Sequence, residues 1–326
     1  MRSTSGKTKI IFSVLLIFAA VIWGIAFVVQ TIGGKEYNST YSFNASRMFI
    51  AALFVYFATF LTDKAGLSSK PRTKKEKRKL WRVGIICGLF LCIATNLQQF
   101  ALTNGDSAGR AGFLTAFYII FVPVISALFL KQKCGWNVWA ACAIALAGLY
   151  FLSVSGRFAI LYTDVLLLGC ALAFSIQITI VDRFGAALDS LRLSAVQFLV
   201  CGILSLIPAF FFEAFAYEGG FGQWLGMFAS LKIWLCLLYL GILSCGVGYT
   251  LQIIAQKKLD ATLASLIMSL ESVFSAFAAW VFLHQSMTAK EISGCALIFA
   301  GICLAQVNFK GKNKRGEVRE NNEKLP

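Results

Sequence analysis

The sequence AGRAGFLTAFYIIFVPVISALFL at residues 108–130 and the sequence ATLASLIMSLESVFSAFAAWVFL at residues 261–283 together decide the fold class. Each is an apolar run of the length, about 20 residues, that an α-helix needs to cross the hydrocarbon core of a bilayer. The two runs also align without a gap at a separation of 153 positions, which places Phe121 opposite Phe274. The pair therefore predicts membrane-spanning helices that belong to repeated units.

Further runs of this kind bring the number of predicted spans to ten. Of the 326 residues 58% are hydrophobic and 14% are charged, and the mean hydropathy is +0.75. Soluble domains are about 45–50% apolar and about 25% charged. The composition excludes a disordered, collagen-like or ordinary cytosolic protein and predicts an all-α polytopic membrane protein. The predicted spans are residues 10–32, 42–62, 82–103, 108–130, 136–154, 162–182, 192–213, 232–254, 260–284 and 290–308.

The net charge of +15 comes from 30 Lys and Arg against 15 Asp and Glu. Most of the basic residues share one side of the membrane if the N-terminus is cytoplasmic, as the positive-inside rule requires, and ten spans return the C-terminus to that side. We therefore expect cytoplasmic termini, a basic cytoplasmic loop at residues 63–82 and a disordered basic tail at residues 310–326. Because aromatic residues are not interleaved with Arg and Lys, the expected partner is the lipid bilayer and not nucleic acid.

The register of 153 holds over roughly 60 residues, and it pairs Cys92 with Cys245 and Gln99 with Gln252. It divides the chain into a first unit, residues 1–154, and a second unit, residues 155–309, with five predicted spans each. Because five is odd, the second unit must enter the membrane from the opposite side. Such inverted repeats are typical of secondary transporters, whose substrate sites lie near the midplane between the repeats.

Three stretches carry a resemblance to a known family: Ile22-Trp23-Gly24 through Val28, Gln98 through Tyr118, and Ala264 through Phe274. They resemble the drug/metabolite transporter superfamily, in particular its ten-helix bacterial branch with two EamA domains. The match covers nearly the whole chain outside the tails. It implies a multi-pass protein of the bacterial plasma membrane that exports a small metabolite (an amino acid, a nucleoside or an organic cation) through a central cavity, without ATP.

Two positions depart from the family pattern. A Gly-Glu pair often follows the Phe-Leu that ends the fourth and ninth spans, whereas this chain has Lys131-Gln132 and His284-Gln285 there. A role that relatives give to that glutamate is therefore not expected here. Ser272 stands where many relatives have proline, which predicts a straighter ninth span because proline kinks helices.

Glu271 is the strongest candidate for a functional residue. It lies near the middle of its span, roughly 17 Å from either end at about 1.5 Å per residue. A carboxylate at that depth is costly unless it is paired, hydrated or protonated. It is therefore a candidate proton, cation or substrate site, with a structural hydrogen bond to a neighbouring helix as the alternative. Its repeat counterpart is Tyr118, and we expect the two side chains to lie together.

Seven other residues are candidates for substrate binding. Amides inside a membrane hold helices together or line a cavity, and Trp23 can pack or form a cavity wall. Arg47 can reach the outer headgroups or line an outer vestibule, and Arg110 can pair with Asp106 one turn earlier. The seven candidates are Arg47, Arg110, Asn96, Gln99, Gln252, Tyr249 and Trp23; Gln98, Gln177 and Gln197 share the amide pattern.

Other classes of protein fit the sequence less well. The chain has one histidine, His284, and its ten cysteines include no C-x-x-C pair, so neither an enzyme nor a metal or cofactor site is expected. A channel or a flippase for lipid-linked substrates is the alternative to a carrier, although no filter loop or ring of carboxylates is present in the sequence. The expected partners are a small-molecule substrate and the bilayer, with protons as a candidate coupling ion and monomer or homodimer left open.

Overall fold

The computed structural model describes residues 6–37, 39–67, 70–105, 108–130, 135–153, 161–215, 220–283 and 288–306. These residues form helices joined by short connections, and no strand occurs within the described ranges. The predicted all-helical class is confirmed. The α-helices are α1 Gly6–Tyr37, α2 Tyr41–Lys64, α3 Lys74–Thr103, α4 Ala108–Thr115, α5 Tyr118–Leu130, α6 Trp136–Ser153, α7 Tyr162–Ile180, α8 Ser190–Pro208, α9 Gly220–Gly226, α10 Leu231–Leu238, α11 Thr250–Gln256, α12 Ala261–Met268, α13 Leu270–Leu283 and α14 Ala289–Gln306.

Eight helical segments of the described chain are long and apolar enough to cross a membrane. The protein is therefore an integral membrane protein. The fifth predicted span is present as a shorter apolar helix, Trp136–Leu152, and the tenth coincides with α14. Ten spans in two inverted repeats stay a prediction. The eight segments are Lys7–Glu36, Tyr41–Lys64, Lys74–Thr103, Ala108–Phe129, Tyr162–Gly185, Ser190–Ala214, Leu231–Gln256 and Ala261–Ala278.

Three of these segments contain π-helical stretches. Val181–Gly185 continues α7, Ala209–Ala214 continues α8 directly after Pro208, and Tyr239–Tyr249 joins α10 to α11. A π-helical turn widens the helix and breaks the regular hydrogen-bond ladder, and such turns are frequent at functional sites. The longest stretch, Tyr239–Tyr249, ends at a side chain that faces the central cavity described below.

The fourth and ninth predicted spans are both interrupted near their middle. α4 ends at Thr115 and α5 begins at Tyr118, whereas α12 ends at Met268 and α13 begins at Leu270. The expectation of a straighter ninth span stays a prediction, because the interruption at Ser269 is a single turn within the helical segment Ala261–Ala278. Ser269 lies at the break, and its hydroxyl donates to the carbonyl of Leu266 at 2.7 Å. Serine hydroxyls that bond to the preceding turn compete with the helix ladder, which is consistent with the interruption at Ser269.

The basic segment also differs from its predicted form. Residues 74–82, predicted within the loop 63–82, form the first turns of α3. The helix begins there because Thr73 and Glu76 form a capping box: the Thr73 hydroxyl accepts from the Glu76 amide at 3.1 Å, and the Glu76 carboxylate accepts from the Thr73 amide at 3.3 Å. The predicted tail, residues 310–326, lies outside the described residues.

Glycines let several helices pack backbone to backbone. A Cβ atom on Gly148 of α6 would lie 2.6 Å from the carbonyl oxygen of Gly294 in α14, and one on Gly24 of α1 would lie 2.7 Å from the carbonyl carbon of Phe274 in α13. Small residues that allow such approaches are the usual basis of helix association in membranes. The α1–α13 crossing fixes the position of α13 next to the central cavity.

Polar contacts join α2 and α8 at opposite ends. At the end of α2, Asp63 accepts two hydrogen bonds from Arg192 near the start of α8, at 2.7 and 2.9 Å. At the other end, the carboxylate of Glu213 accepts from the backbone amides of Thr40, Tyr41 and Ser42, each at 2.7 Å. A carboxylate at a helix N-terminus satisfies amides that have no partner in the helix. We call these the Asp63 contact and the Glu213 contact.

Candidate functional site

A central cavity lies where the broken helices meet α1, α3 and α7. Its empty space, which includes the open mouth, is about 570 Å³. The two predicted units contribute equally to its wall. The lining residues are Trp23, Ala26, Phe27, Gln30, Arg47, Thr95, Gln98, Thr115, Tyr118, Phe174, Gln177, Ile178, Ser244, Cys245, Tyr249, Gln252, Met268 and Glu271.

Glu271 and Tyr118 meet at this cavity. The Tyr118 hydroxyl donates to Oε1 of Glu271 at 2.9 Å across the 153 residues that separate them in sequence. Each belongs to the first turn of the helix that follows a break, α5 for Tyr118 and α13 for Glu271. Glu271 is 7% exposed and Tyr118 is 4% exposed. Within the described ranges Glu271 has no cationic partner, and Oε2 accepts no hydrogen bond, so one oxygen of a buried carboxyl group is available to a ligand.

Arg47 is the cationic group of the cavity. Its side chain is 3% exposed, which is incompatible with the alternative that it reaches the headgroups. Nε donates to Oδ1 of Asn44 at 2.8 Å and Nη1 donates to Oε1 of Gln30 at 2.5 Å. Asn44 is itself held by Thr95, whose Oγ1 accepts from Nδ2 at 3.0 Å. Both acceptors of Arg47 are neutral, and the described part of the chain supplies neither a carboxylate for its charge nor an acceptor for Nη2.

Aromatic side chains form part of the cavity wall. The indole nitrogen of Trp23 donates to the carbonyl oxygen of Ser244 at 2.9 Å, which fixes the ring. Trp23 packs on Tyr249 with ring centroids 5.1 Å apart, and Tyr249 packs edge-on against Phe198 at 5.9 Å. The Tyr249 hydroxyl has no hydrogen-bond partner among the residues that the structure describes. It therefore offers a further polar atom to a ligand in the cavity.

Amide side chains close another side of the cavity. Gln252 Nε2 donates to Oε1 of Gln177 at 3.2 Å and to Oε1 of Gln256 at 3.1 Å. Gln177 Nε2 in turn donates to Oε1 of Gln197 at 3.2 Å. Gln177 and Gln252 line the cavity, whereas Gln197 lies behind them. The two lining amides are therefore positioned by other amides.

Three sequence candidates lie away from the cavity wall. Asn96 is turned toward α8, with Nδ2 2.8 Å from Oγ of Ser205. Gln99 is fully buried and donates to the backbone carbonyl of Gln30 at 3.2 Å. Arg110 forms a bidentate ion pair with Asp164 in the first turn of α7, with Nε 2.7 Å from Oδ1 and Nη2 2.5 Å from Oδ2. All three are directed to neighbouring helices, so we correct their assignment to substrate binding.

Some expectations fall outside the described residues. They concern Asp106 as the partner of Arg110, the pair Lys131-Gln132 and the pair His284-Gln285. Gln30 was missed, although it lines the cavity and orients Arg47. The signal available in the sequence was a single amide within the apolar run 10–32.

The comparisons with known proteins match most of the chain. Residues 10–154 and 161–306 each match the family described as EamA-like transporter family. The chain belongs to the EamA-like transporter family. A transporter, rather than an enzyme, is the class of protein that the family indicates.

Relatives of the chain are themselves named only as transporters. An uncharacterized transporter of Archaeoglobus fulgidus is 27% identical over 292 residues, which cover 90% of this chain and 84% of the relative. The uncharacterized transporter YoaV of Bacillus subtilis is 25% identical over 300 residues, which cover 90% and 96%. A solved crystal structure superposes with a TM-score of 0.71 at 20% identity, covering 90% of this chain and 96% of the other. That likeness establishes the fold alone.

A metal centre does not form in the described ranges. No group of three or more His, Cys, Asp or Glu side chains lies together there in an arrangement that could hold a metal ion. The candidate site is therefore defined by the organic groups of the cavity: one guanidinium, one carboxyl group, amides and aromatic rings.

Proposed function

We propose that the protein is a secondary transporter that exports a small metabolite by alternating access through the central cavity. The observation that carries this proposal is the cavity itself, which both predicted units line in equal number. The span formed by α4 and α5 and the span formed by α12 and α13 are each interrupted beside the cavity. Discontinuous helices at a repeat interface are the usual construction of a substrate site in secondary transporters.

Corresponding structural features in the two units support an inverted repeat. α4 and α12 begin at Ala108 and Ala261 and end at Thr115 and Met268, positions that correspond in the register of 153. The polar contacts correspond as well. Gln30 accepts from Arg47 and its carbonyl accepts from Gln99; in the second unit Gln177 donates to Gln197 and accepts from Gln252.

The contacts at the ends of α2 and α8 suggest how access alternates. The Asp63 contact joins the end of α2 to the start of α8, and the Glu213 contact joins the end of the α8 continuation to the start of α2. In an inverted repeat these are the same contact on opposite faces of the membrane. Opening one while the other stays closed admits the substrate from one side at a time.

Glu271 is the group through which we propose energy coupling. Its carboxyl group is buried at the cavity and bonded to Tyr118. A carboxyl group at this depth is neutral when it holds a proton and requires a cation when it does not. Protons are therefore the coupling ion that fits, and outward transport is the direction that the family resemblance implies.

The test is counterflow of labelled metabolites in proteoliposomes that contain a pH-sensitive dye. Glu271→Gln keeps an acceptor for Tyr118 and removes the titratable group, so we expect a folded protein with substrate exchange but no substrate-driven pH change. Glu291→Gln is the matched control, because Glu291 does not line the cavity and bonds locally to Thr288. Unchanged coupling in Glu271→Gln contradicts the role of Glu271.

The same vesicles discriminate the rival functions. Saturable, stereoselective exchange identifies a carrier, whereas an ohmic current identifies a channel. Movement of lipid-linked substrates without saturable exchange and without an ohmic current identifies a flippase. Vesicles of known orientation then give the direction, and uptake alone contradicts the proposed export.

A further inference from the structure

We propose that the transported substrate is a small zwitterion, bound with its anionic group at Arg47 and its cationic group at Glu271. The inference rests on the proposed transport function and adds the substrate class and the two residues that select it. It follows from two charged side chains of opposite sign that line one cavity and are not paired within the protein.

The free edge of Arg47 indicates an anionic ligand group. Two of its three nitrogens are oriented by Asn44 and Gln30, whereas Nη2 has no acceptor in the part of the chain described. A guanidinium that is almost fully buried and lacks a counter-ion is strongly unfavourable, and the planar fork of arginine matches a carboxylate or a phosphate. Asn44 and Gln30 therefore hold the guanidinium in place and leave one donor for a ligand.

The free oxygen of Glu271 indicates a cationic ligand group. Tyr118 donates to Oε1 and fixes the plane of the carboxyl group, and Oε2 is left without a donor among the described residues. Arg47 and Glu271 do not form an ion pair with each other there, so neither neutralises the other. An ammonium group supplies both the positive charge and the donors that this oxygen lacks.

One ligand with both charges fits the cavity better than a ligand with a single charge. A pure cation leaves Arg47 buried without a counter-ion, and a pure anion leaves Glu271 in the same condition unless it is protonated. A zwitterion satisfies both groups and crosses the membrane without net charge. The ring of Tyr249 and its free hydroxyl belong to the same cavity wall and are available to the ligand's neutral part.

The asymmetry of the repeat strengthens this inference. At an offset of 150 positions the counterpart of Arg47 in the second unit is Gln197, and at the offset of 153 the counterpart of Glu271 in the first unit is Tyr118. In each case a charged side chain in one unit corresponds to a neutral polar one in the other. The cavity thus has one basic pole and one acidic pole, a polarity that a helical scaffold with matched halves does not itself require.

The experiment compares matched compounds in counterflow with the full-length protein. Three sets are used, with a short, a branched and an aromatic side chain; each contains an α-amino acid, its carboxamide without the anionic group, and the carboxylic acid without the amine. We expect wild type to exchange at least one amino acid with an apparent affinity about tenfold or more above both of its analogues, since sites built around charged partners reject compounds that lack them.

Variants assign the poles. Arg47→Gln is expected to abolish the higher apparent affinity for the amino acid relative to its carboxamide. Glu271→Gln is expected to abolish the higher apparent affinity for the amino acid relative to the carboxylic acid that lacks the amine. Arg47→Lys keeps the positive charge and is expected to restore part of the preference if Arg47→Gln does not fold. Glu291→Gln is the control, because Glu291 does not line the cavity and bonds locally to Thr288.

The outcomes are separable. Equal or better exchange of a singly charged or neutral compound by wild type overturns the zwitterion while the transport function stands. An amino-acid preference that survives both Arg47→Gln and Glu271→Gln overturns the assignment of the poles. Absence of saturable exchange for the whole panel, extended to nucleosides and organic cations, overturns both the inference and the proposed function.

Discussion

Replacing Gly24 by alanine tests the close crossing of α1 and α13. A Cβ atom at this position would lie 2.5 Å from Cβ of Phe274, 2.7 Å from its carbonyl carbon and 2.8 Å from the amide nitrogen of Ser275, whereas ordinary contacts begin near 3.4 Å. Two of these atoms are backbone and cannot rotate away. The helices must therefore separate by close to an ångström at this point, which moves α13 and the Glu271 carboxyl group relative to Trp23.

The magnitude follows from two opposing effects. Overpacking of a well-packed interior costs about 1–3 kcal/mol, and alanine gains up to about 1 kcal/mol over glycine in a helix interior. We expect a net loss of about 1–2 kcal/mol and a lower melting temperature, together with impaired exchange. The assay is thermal unfolding in detergent, followed by fluorescence-detected size-exclusion chromatography, with counterflow on the same preparations.

Gly169→Ala is the matched control for Gly24→Ala. Gly169 also lies within a spanning helix, but its added Cβ would meet only Cδ1 of Leu97 at 3.5 Å, an ordinary contact. We expect this variant to match or slightly exceed wild type in stability. Equal melting temperatures for Gly24→Ala and Gly169→Ala would refute the reasoning, because they would mean that the α1–α13 crossing is not constrained by backbone contact.

Three further predictions concern other contacts. Glu213→Gln removes the anionic cap of α2, and we expect a loss of about 1–2 kcal/mol in thermal unfolding; an unchanged melting temperature would contradict the capping role. Arg110→Ala removes the ion-pair partner of Asp164, which is 3% exposed. We therefore expect Arg110→Ala to destabilise the protein more than the double variant Arg110→Ala with Asp164→Asn. Additive losses in a double-mutant cycle would disprove the energetic coupling of Arg110 and Asp164. Gly148→Leu inserts a side chain where Cβ alone would lie 2.6 Å from the Gly294 carbonyl oxygen. We expect a loss of monodisperse protein in size-exclusion chromatography. Normal yield and stability would exclude a tight crossing of α6 and α14.

Apolar pattern and repeat register predicted the fold class well, because they are local properties of the chain. The runs 108–130 and 261–283 reappear as the helix pairs α4–α5 and α12–α13. The pairing of Tyr118 with Glu271 was also predictable, because a shared register places corresponding residues near a common axis. The interruptions after Thr115 and at Ser269 were not predicted. At Ser269 the hydroxyl bonds to the carbonyl of Leu266 in the preceding turn, which composition alone does not specify.

The direction of polar side chains was the main source of error. Arg47 was expected either to reach the headgroups or to line an outer vestibule; it lines the central cavity, held by Gln30 and Asn44, and does not reach the headgroups. Gln99 was placed on the cavity, yet its amide points to the backbone of α1. A sequence gives the depth of a residue along a helix, whereas the rotation of that helix about its axis is set by all of its neighbours.

That the chain is helical and spans a membrane followed from its sequence, because bilayer thickness and the hydrogen-bonding needs of the backbone leave few alternatives. The sequence also determined that Glu271 requires a partner. Which polar groups share one cavity depends on the packed structure, because helix rotation and crossing bring Arg47, Tyr249 and Glu271 to the same cavity. Asn96 and Arg110 are turned to other helices. That choice depends on packing between distant segments, which no local pattern encodes.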